Sequence, residues 1–167
     1  MEITREIVDH PESWTGTRVV EELPVRMYDG DDTAPGQDVP AWLRDVMVLC
    51  DFETHLQMEG LLGWWENTSR DDWDVVCAAL RSVGMEDQAA LLDEVVEALG
   101  PGEIDASLEV NSVSSFTQRH PELTDEQLEH CRTIEERLTL EDAKGKDLRS
   151  ALVAHADSGL AAMQRSG

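Results

Sequence analysis

Three ionisable side chains at four-residue intervals come closest to a chemical site in this sequence. Asp51, His55 and Glu59 would lie on one face of a helix, a geometry that could hold a metal ion. Such a site would also need a second helix with Glu-x-x-His or a similar ligand set, and the sequence contains no such motif. We therefore interpret the three residues as a polar helix face, with His55 bonded to a neighbouring carboxylate.

Two further histidines have structural interpretations. His155 lies on an apolar helix face and is expected to be a hydrogen-bonded core residue. His130 precedes Cys131, but adjacent helix residues point about 100° apart, so the two side chains do not form a thiol pair. Phosphate-binding glycine loops, His-Glu-x-x-His and Gly-x-Ser-x-Gly motifs are absent from the chain. The sequence predicts no catalytic residue, no metal ligand and no cofactor, so we expect the protein not to be an enzyme.

The charge of the chain restricts its partners. Its 167 residues include 13 basic and 36 acidic side chains, which give a formal net charge of -23. Such a charge repels nucleic acid and anionic membranes, which argues against direct DNA, RNA or lipid binding.

Cys50, Cys77 and Cys131 lack Cys-x-x-Cys spacing and are expected as reduced core residues. The sequence shows no signal peptide and no apolar segment near the roughly 20 residues that a membrane-spanning helix needs. We therefore expect a soluble cytoplasmic protein. We expect it to be a monomer or a homodimer.

The stretch from Val39 to Gly84 is the apolar centre on which the other elements must pack. Its first helix is apolar on most sides, which is typical of a helix at the centre of a bundle. Asp38 as N-cap with Pro40 in the first turn predicts its start, and Gly60 with Gly63 predicts a break where the chain turns. A Ser69 capping box and Gly84 bound the following amphipathic helix.

Apolar residues at intervals of three and four predict the other helices. These run from Glu2 to Asp9, Ser13 to Leu23, Glu86 to Leu99, Ile104 to Arg119, Leu128 to Leu138 after a Thr124 capping box, and Leu148 to Met163. No strand is predicted, because alternation never lasts beyond about four residues. The expected fold class is all-α, a single-domain helical bundle of about six to eight helices. We expect residues 1–38 to form an N-terminal extension with short helices and an acidic loop, and residues 39–167 to form the helical domain.

The segment from Glu59 to Met85 carries a family resemblance. Glu59-Gly60-Leu61-Leu62 corresponds to an Asn-Gly-Gly-Phe turn, and Trp64-Trp65 to an aromatic pair that follows it. Asn67-Thr68-Ser69 corresponds to an Asn-Ser pair, and Leu80 to Met85 to a helix end of the form Leu-x-x-Ile-Gly-Ala. In these features the chain resembles a family of small bacterial all-α domains named for a DNA-mimic protein. The resemblance covers residues 46–99 well and 123–156 loosely. Glu59 and Leu61 depart from the asparagine and second glycine of the family's turn.

The resemblance implies a protein that imitates the charge of duplex DNA and occupies a DNA-binding protein. Carboxylates at helical intervals recur about every 5–6 Å, so a basic groove could read them as it reads phosphates. Three candidate rows are Asp71, Asp72 and Asp74; Asp87, Asp93, Glu94 and Glu97; and Glu122, Asp125, Glu126 and Glu129. An alternative is a regulatory or structural domain whose acidity reflects its host's composition, since only two lysines accompany eleven arginines. A metal-dependent enzyme is the third alternative.

Overall fold

The structure of the protein is a computed structural model that describes residues 2–28, 39–68, 70–99, 103–104, 118–119, 123–138 and 147–166. The elements are α1 (Glu2–Asp9), a 3-10 turn (Pro11–Ser13), α2 (Gly16–Tyr28), α3 (Ala41–Asn67), α4 (Arg70–Ser82), α5 (Glu86–Leu99), β1 (Glu103–Ile104), β2 (Gln118–Arg119), α6 (Asp125–Arg137) and α7 (Leu148–Ser166). Seven α-helices among the described residues enclose one hydrophobic core. The predicted all-α, single-domain helical bundle is therefore confirmed.

Two short strands pair with each other in the described ranges. Glu103–Ile104 pairs antiparallel with Gln118–Arg119. The prediction of a helix from Ile104 to Arg119 is therefore wrong at both ends, as is the prediction that the chain has no strand; residues 105–117 lie outside the described part. Serine, threonine and valine lower the helix propensity of this segment, which favours the extended pairing.

Helix α3 occupies the centre of the bundle, where it packs against α2, α4, α6 and α7. It begins at Ala41 with Pro40 at the N-cap position, so the prediction of Asp38 as N-cap is wrong. The proline ring disfavours α-helical backbone at the residue before it, and a helix capped at residue 38 would need that conformation at Val39. Asp38 itself lies outside the described residues.

The N-terminal helices contribute to the same core. Ile7, Val19 and Leu23 are completely buried, and α2 packs along α7. Helix α2 continues through Pro24 to Tyr28, so the predicted end at this proline is wrong. Proline removes only one helical hydrogen bond, and the burial of the adjoining apolar face offsets that loss. The division of the chain at residue 38 stays a prediction.

Helices α4 and α5 form an antiparallel hairpin around Gly84. This glycine has a φ of 81°, and the N–H of Met85 donates to the carbonyl of Leu80 at 2.9 Å, which closes α4 as a Schellman motif. The predicted stop at Gly84 is confirmed, and the predicted bounds of α5 agree with the structure. The Ser69 capping box lies outside the described residues. The hairpin places the start of α4 beside the end of α5.

Partly buried polar contacts join helices that are distant in sequence. His155 of α7 lies 3.2 Å from the Asp45 carboxylate of α3, which also accepts a 2.7 Å hydrogen bond from the Ser82 hydroxyl at the end of α4. The predicted hydrogen bond of His155 is confirmed, but its side chain is 20% exposed and lies at the edge of the core, so the prediction of a core residue is wrong in that detail. The serine bonds to the aspartate and not to the histidine, so this trio joins three helices and does not form an activated nucleophile.

In the described part of the chain, no helix is long and apolar enough to cross a membrane.

The three cysteines are free thiols in the core, as the sequence predicts. Burial is the main cause of their raised pKa values, to about 12 for Cys50 and Cys77 and about 11 for Cys131. Thiols of the unfolded chain keep the ordinary pKa of 9.0. Above that pH only the unfolded chain ionises its thiols, which lowers its free energy relative to the folded chain.

We therefore expect the free energy of unfolding to be insensitive to these thiols below about pH 8 and to fall as the pH rises from 9 through 11 and 12. Urea unfolding followed by tryptophan fluorescence at neutral and alkaline pH measures the fall. A variant with Cys50, Cys77 and Cys131 all replaced by alanine should lose less stability over the same pH range. An equal loss in both proteins would contradict the assignment.

Candidate interaction surface

Helix α3 breaks at Gly60, where φ is 72° and ψ is 178°. This backbone region is essentially restricted to glycine, so the predicted break is confirmed at this position. The N–H of Leu61 has lost its helical acceptor, and it donates to the Glu135 carboxylate of α6 at 3.1 Å. The contact joins residues 74 positions apart and caps the second half of α3. No local sequence pattern marks Glu135 for this role, because its partner lies on another helix.

The second half of α3 is held by aromatic and polar contacts. Trp64 and Trp65 are buried, and the ring centroid of Trp64 lies 4.3 Å from that of Trp73 on α4. The Asn67 amide donates to the Gly63 carbonyl at 2.9 Å and to the Glu59 carboxylate at 3.0 Å. Four predicted turn residues, Glu59, Trp64, Trp65 and Asn67, thus surround the break at Gly60. This unit positions α4 and α6 on α3.

The triad of Asp51, His55 and Glu59 lies on one helix face as predicted. The histidine Nε2 is 3.8 Å from the Asp51 carboxylate, and Nδ1 is 3.9 Å from that of Glu59. These distances allow electrostatic attraction but are too long for hydrogen bonds, so the predicted bond of His55 to a carboxylate is wrong in that detail. Glu59 is instead oriented by its hydrogen bond from Asn67. Within the described ranges, no group of three His, Cys, Asp or Glu is arranged to hold a metal ion.

Two of the predicted acidic rows meet in a groove between α4 and α5. The groove has a volume of about 220 Å³. Its lining consists of Asp74, Asp93 and Glu97 together with Trp73, Cys77 and Val96. The last three side chains are buried and form an apolar floor. The hairpin brings these carboxylates together because α4 starts where α5 ends.

The third predicted acidic row begins at the start of α6, which lies beside the end of α5. Thr124 and Gln127 form the predicted capping box, which is confirmed, and the Gln127 amide also donates to the Ala98 carbonyl at the end of α5 at 2.8 Å. Asp125 and Glu126 lie in this first turn of α6. We call the resulting surface the acidic end; its members are Asp71, Asp72, Asp74, Asp93, Glu97, Asp125 and Glu126. Carboxylates from three helices therefore surround one end of the bundle.

Some residues of the predicted rows are paired with cations, including Asp93 of the acidic end, and others lie elsewhere. Asp93 forms an ion pair with Arg81 at the rim of the groove. The other pairs are Glu94 with His130 at 3.6 Å and Arg137 at 3.5 Å, and Glu129 with Arg132 at 3.4 Å. Asp87 is exposed at the opposite end of α5, and Glu122 lies outside the described residues. None of the ion pairs in the described part of the chain involves Asp71, Glu97, Asp125 or Glu126.

Fold and charge together define an acidic all-α bundle, with carboxylates gathered where three helices meet. Residues 37–155 match the family model described as DMP19-like protein. Because this match spans more than half of the chain, the protein belongs to the DMP19-like family, which is a family of DNA-mimic proteins. The resemblance seen in the central stretch is thus confirmed. Neither the curated proteins nor the solved structures include a match to the chain.

The break in α3 leads to a first prediction about Gly60. A Cβ at this position would lie 2.7 Å from the Glu135 carboxylate, and the backbone is strained for any other residue. We expect Gly60→Ala to lower the free energy of unfolding by about 2 kcal/mol or more. Gly84→Ala is the matched control, since its φ is also positive but no atom lies within 4 Å of the added carbon. Gly84→Ala should lower the free energy of unfolding by about 1–2 kcal/mol. Urea unfolding measures both variants, and equal losses of stability would contradict the added clash with Glu135 at Gly60.

The cap supplied by Glu135 leads to a second prediction. Glu135→Ala leaves the buried Leu61 N–H without an acceptor, which should lower the free energy of unfolding by about 1–3 kcal/mol. Glu136→Ala removes an exposed carboxylate from the next position and should change stability by less than about 0.5 kcal/mol. Urea unfolding monitored by tryptophan fluorescence compares the two. Similar stabilities of both variants would argue against the cap.

Proposed function

We propose that this protein is a DNA mimic that occupies the DNA-binding surface of a nucleic-acid-binding protein. The observation that carries the proposal is the meeting of three carboxylate rows at the acidic end. Asp71, Glu97, Asp125 and Glu126 take no part in the ion pairs of the described residues, so their charges are available to a cationic partner. Membership of a DNA-mimic family supports the same function.

Helices are suitable supports for such a surface. Carboxylates one turn apart on a helix are separated by about 5–6 Å, and the packed core keeps the three helices in fixed relative positions. A basic groove that neutralises phosphates on DNA would meet a comparable density of negative charge without base edges to read. The partner we infer is therefore a protein that contacts DNA mainly through its backbone.

The remaining features of the proposal follow from charge and thiol chemistry. A net charge of -23 opposes direct binding to nucleic acid, so the mimic acts on the protein and not on its DNA. Buried free thiols fit a reducing compartment, and we place the protein in the cytoplasm. We propose that it works without catalysis, as a monomer or homodimer.

A charge-neutralised variant tests the proposal. We expect the protein to recover a DNA-binding protein from an extract of its source, and duplex DNA to displace that protein. The affinity of the purified pair should fall steeply as salt increases. The variant Asp71→Asn, Glu97→Gln, Glu126→Gln should weaken binding at least about tenfold in a titration, because several charge contacts are lost together.

The matched control removes three charges from the other part of the molecule. Glu6→Gln, Asp9→Asn, Glu12→Gln changes exposed carboxylates of α1 and the 3-10 turn by the same total charge. It should retain the partner with little change in affinity. Equal weakening by both variants would indicate that only the total charge matters, as for acidity set by host composition. Recovery of only neutral or acidic partners would overturn the proposal.

A further inference from the structure

We propose that α6 opens from the bundle and repacks on it while the other helices stay folded, and that this motion dismantles or completes the acidic end. Asp125 and Glu126 lie in the first turn of α6, whereas the other members of the acidic end lie on α4 and α5. A partner that contacts all three helices binds only the closed form, so the opening equilibrium would set its affinity. The opening itself does not depend on the proposed function, although its effect on a partner does.

The apolar face of α6 is small for the length of this helix. Both α4 and α6 span 13 residues. Five side chains of α4 are buried, among them Trp73 and Leu80, whereas α6 buries Cys131 and Ile134, with Leu138 buried just after its end. Since less apolar area leaves water when α6 packs, its release costs less free energy than release of α4.

Helix α6 also lies at the side of the bundle. Its main neighbours are α5 and α3, while α2, α3 and α7 pack on one another in another part of the core. Helix α4 in turn packs against α3 and α5. These contacts do not involve α6, so the other helices keep them when α6 leaves.

Two hydrogen bonds hold α6 near its ends. The Gln127 amide donates to the Ala98 carbonyl of α5, and the Leu61 N–H of α3 donates to the Glu135 carboxylate. The ion pairs of Glu94 with α6 are exposed, and exposed ion pairs contribute little to stability. Because its apolar face is small and its polar contacts are few, α6 can separate in one local opening that leaves the rest of the core packed.

Hydrogen exchange of the backbone amides in the native protein, followed residue by residue by NMR, tests the separate opening. We expect the protection factors of the hydrogen-bonded amides in α6 to be at least about tenfold lower than the highest protection factors in α2 and α7. They should also depend less on urea, because local opening exposes less surface than global unfolding.

Matched substitutions separate α6 from the core. Glu135→Ala should lower the protection factors of α6 about tenfold or more, because the Leu61 N–H loses its acceptor in the closed form. Its control, Glu136→Ala, changes an exposed side chain and should alter them by less than about twofold. Val19 is completely buried in α2, so Val19→Ala should lower the highest protection factors of α2 and α7 about tenfold or more while those of α6 stay within about twofold.

Equal protection and equal urea dependence in α2, α6 and α7 would overturn the separate opening, because the bundle would then unfold as one unit. Two further results would overturn it: no loss of protection in α6 with Glu135→Ala, or a loss in α6 as large as that in α7 with Val19→Ala. The outcome is separable from that of the proposed function, since the measurements use the free protein. A bundle that unfolds as one unit leaves the mimicry standing, and failure to recover a DNA-binding partner leaves the opening of α6 standing.

Discussion

The hydrogen bond between the Leu61 N–H and the Glu135 carboxylate is the contact on which the arrangement of the helices depends. Gly60 breaks α3 and would otherwise leave a buried donor without a partner. The carboxylate satisfies that donor and ties α6 to the break, while Trp64 and Trp73 hold α4 on the other side. A straight α3 would turn its second half away from these partners. The break in α3 thus allows both α4 and α6 to pack against this helix.

The gathering of charge at one end opposes folding, and the core must offset it. Like charges repel, and that repulsion grows as carboxylates from three helices approach one another. Several members of the rows are paired with arginines, which reduces this cost at Asp93, Glu94 and Glu129. Glu97 at the groove, and Asp125 and Glu126 in the first turn of α6, take no part in the ion pairs of the described residues. The same feature that costs stability therefore marks the surface available to a cationic partner.

Local signals explain why several elements agree with their predictions. The bounds of α5, the Thr124 capping box and the stop at Gly84 each depend on a few neighbouring residues with specific backbone preferences. Predictions failed where a local rule met a competing constraint. Helix α2 continues through Pro24 because its burial outweighs one lost hydrogen bond, and the segment between α5 and α6 pairs its ends as strands.

The sequence by itself determined the all-α class, the break at Gly60, the acidity and the family resemblance, because periodicity, glycine chemistry, charge and motif order are all written along the chain. Only the tertiary structure decided which carboxylates meet, since that depends on the packing of α4, α5 and α6 and not on spacing within any one helix. It also decided that Glu135 caps α3 and that Asp45 joins His155 to Ser82. These contacts connect residues far apart in the chain, and no local pattern encodes them.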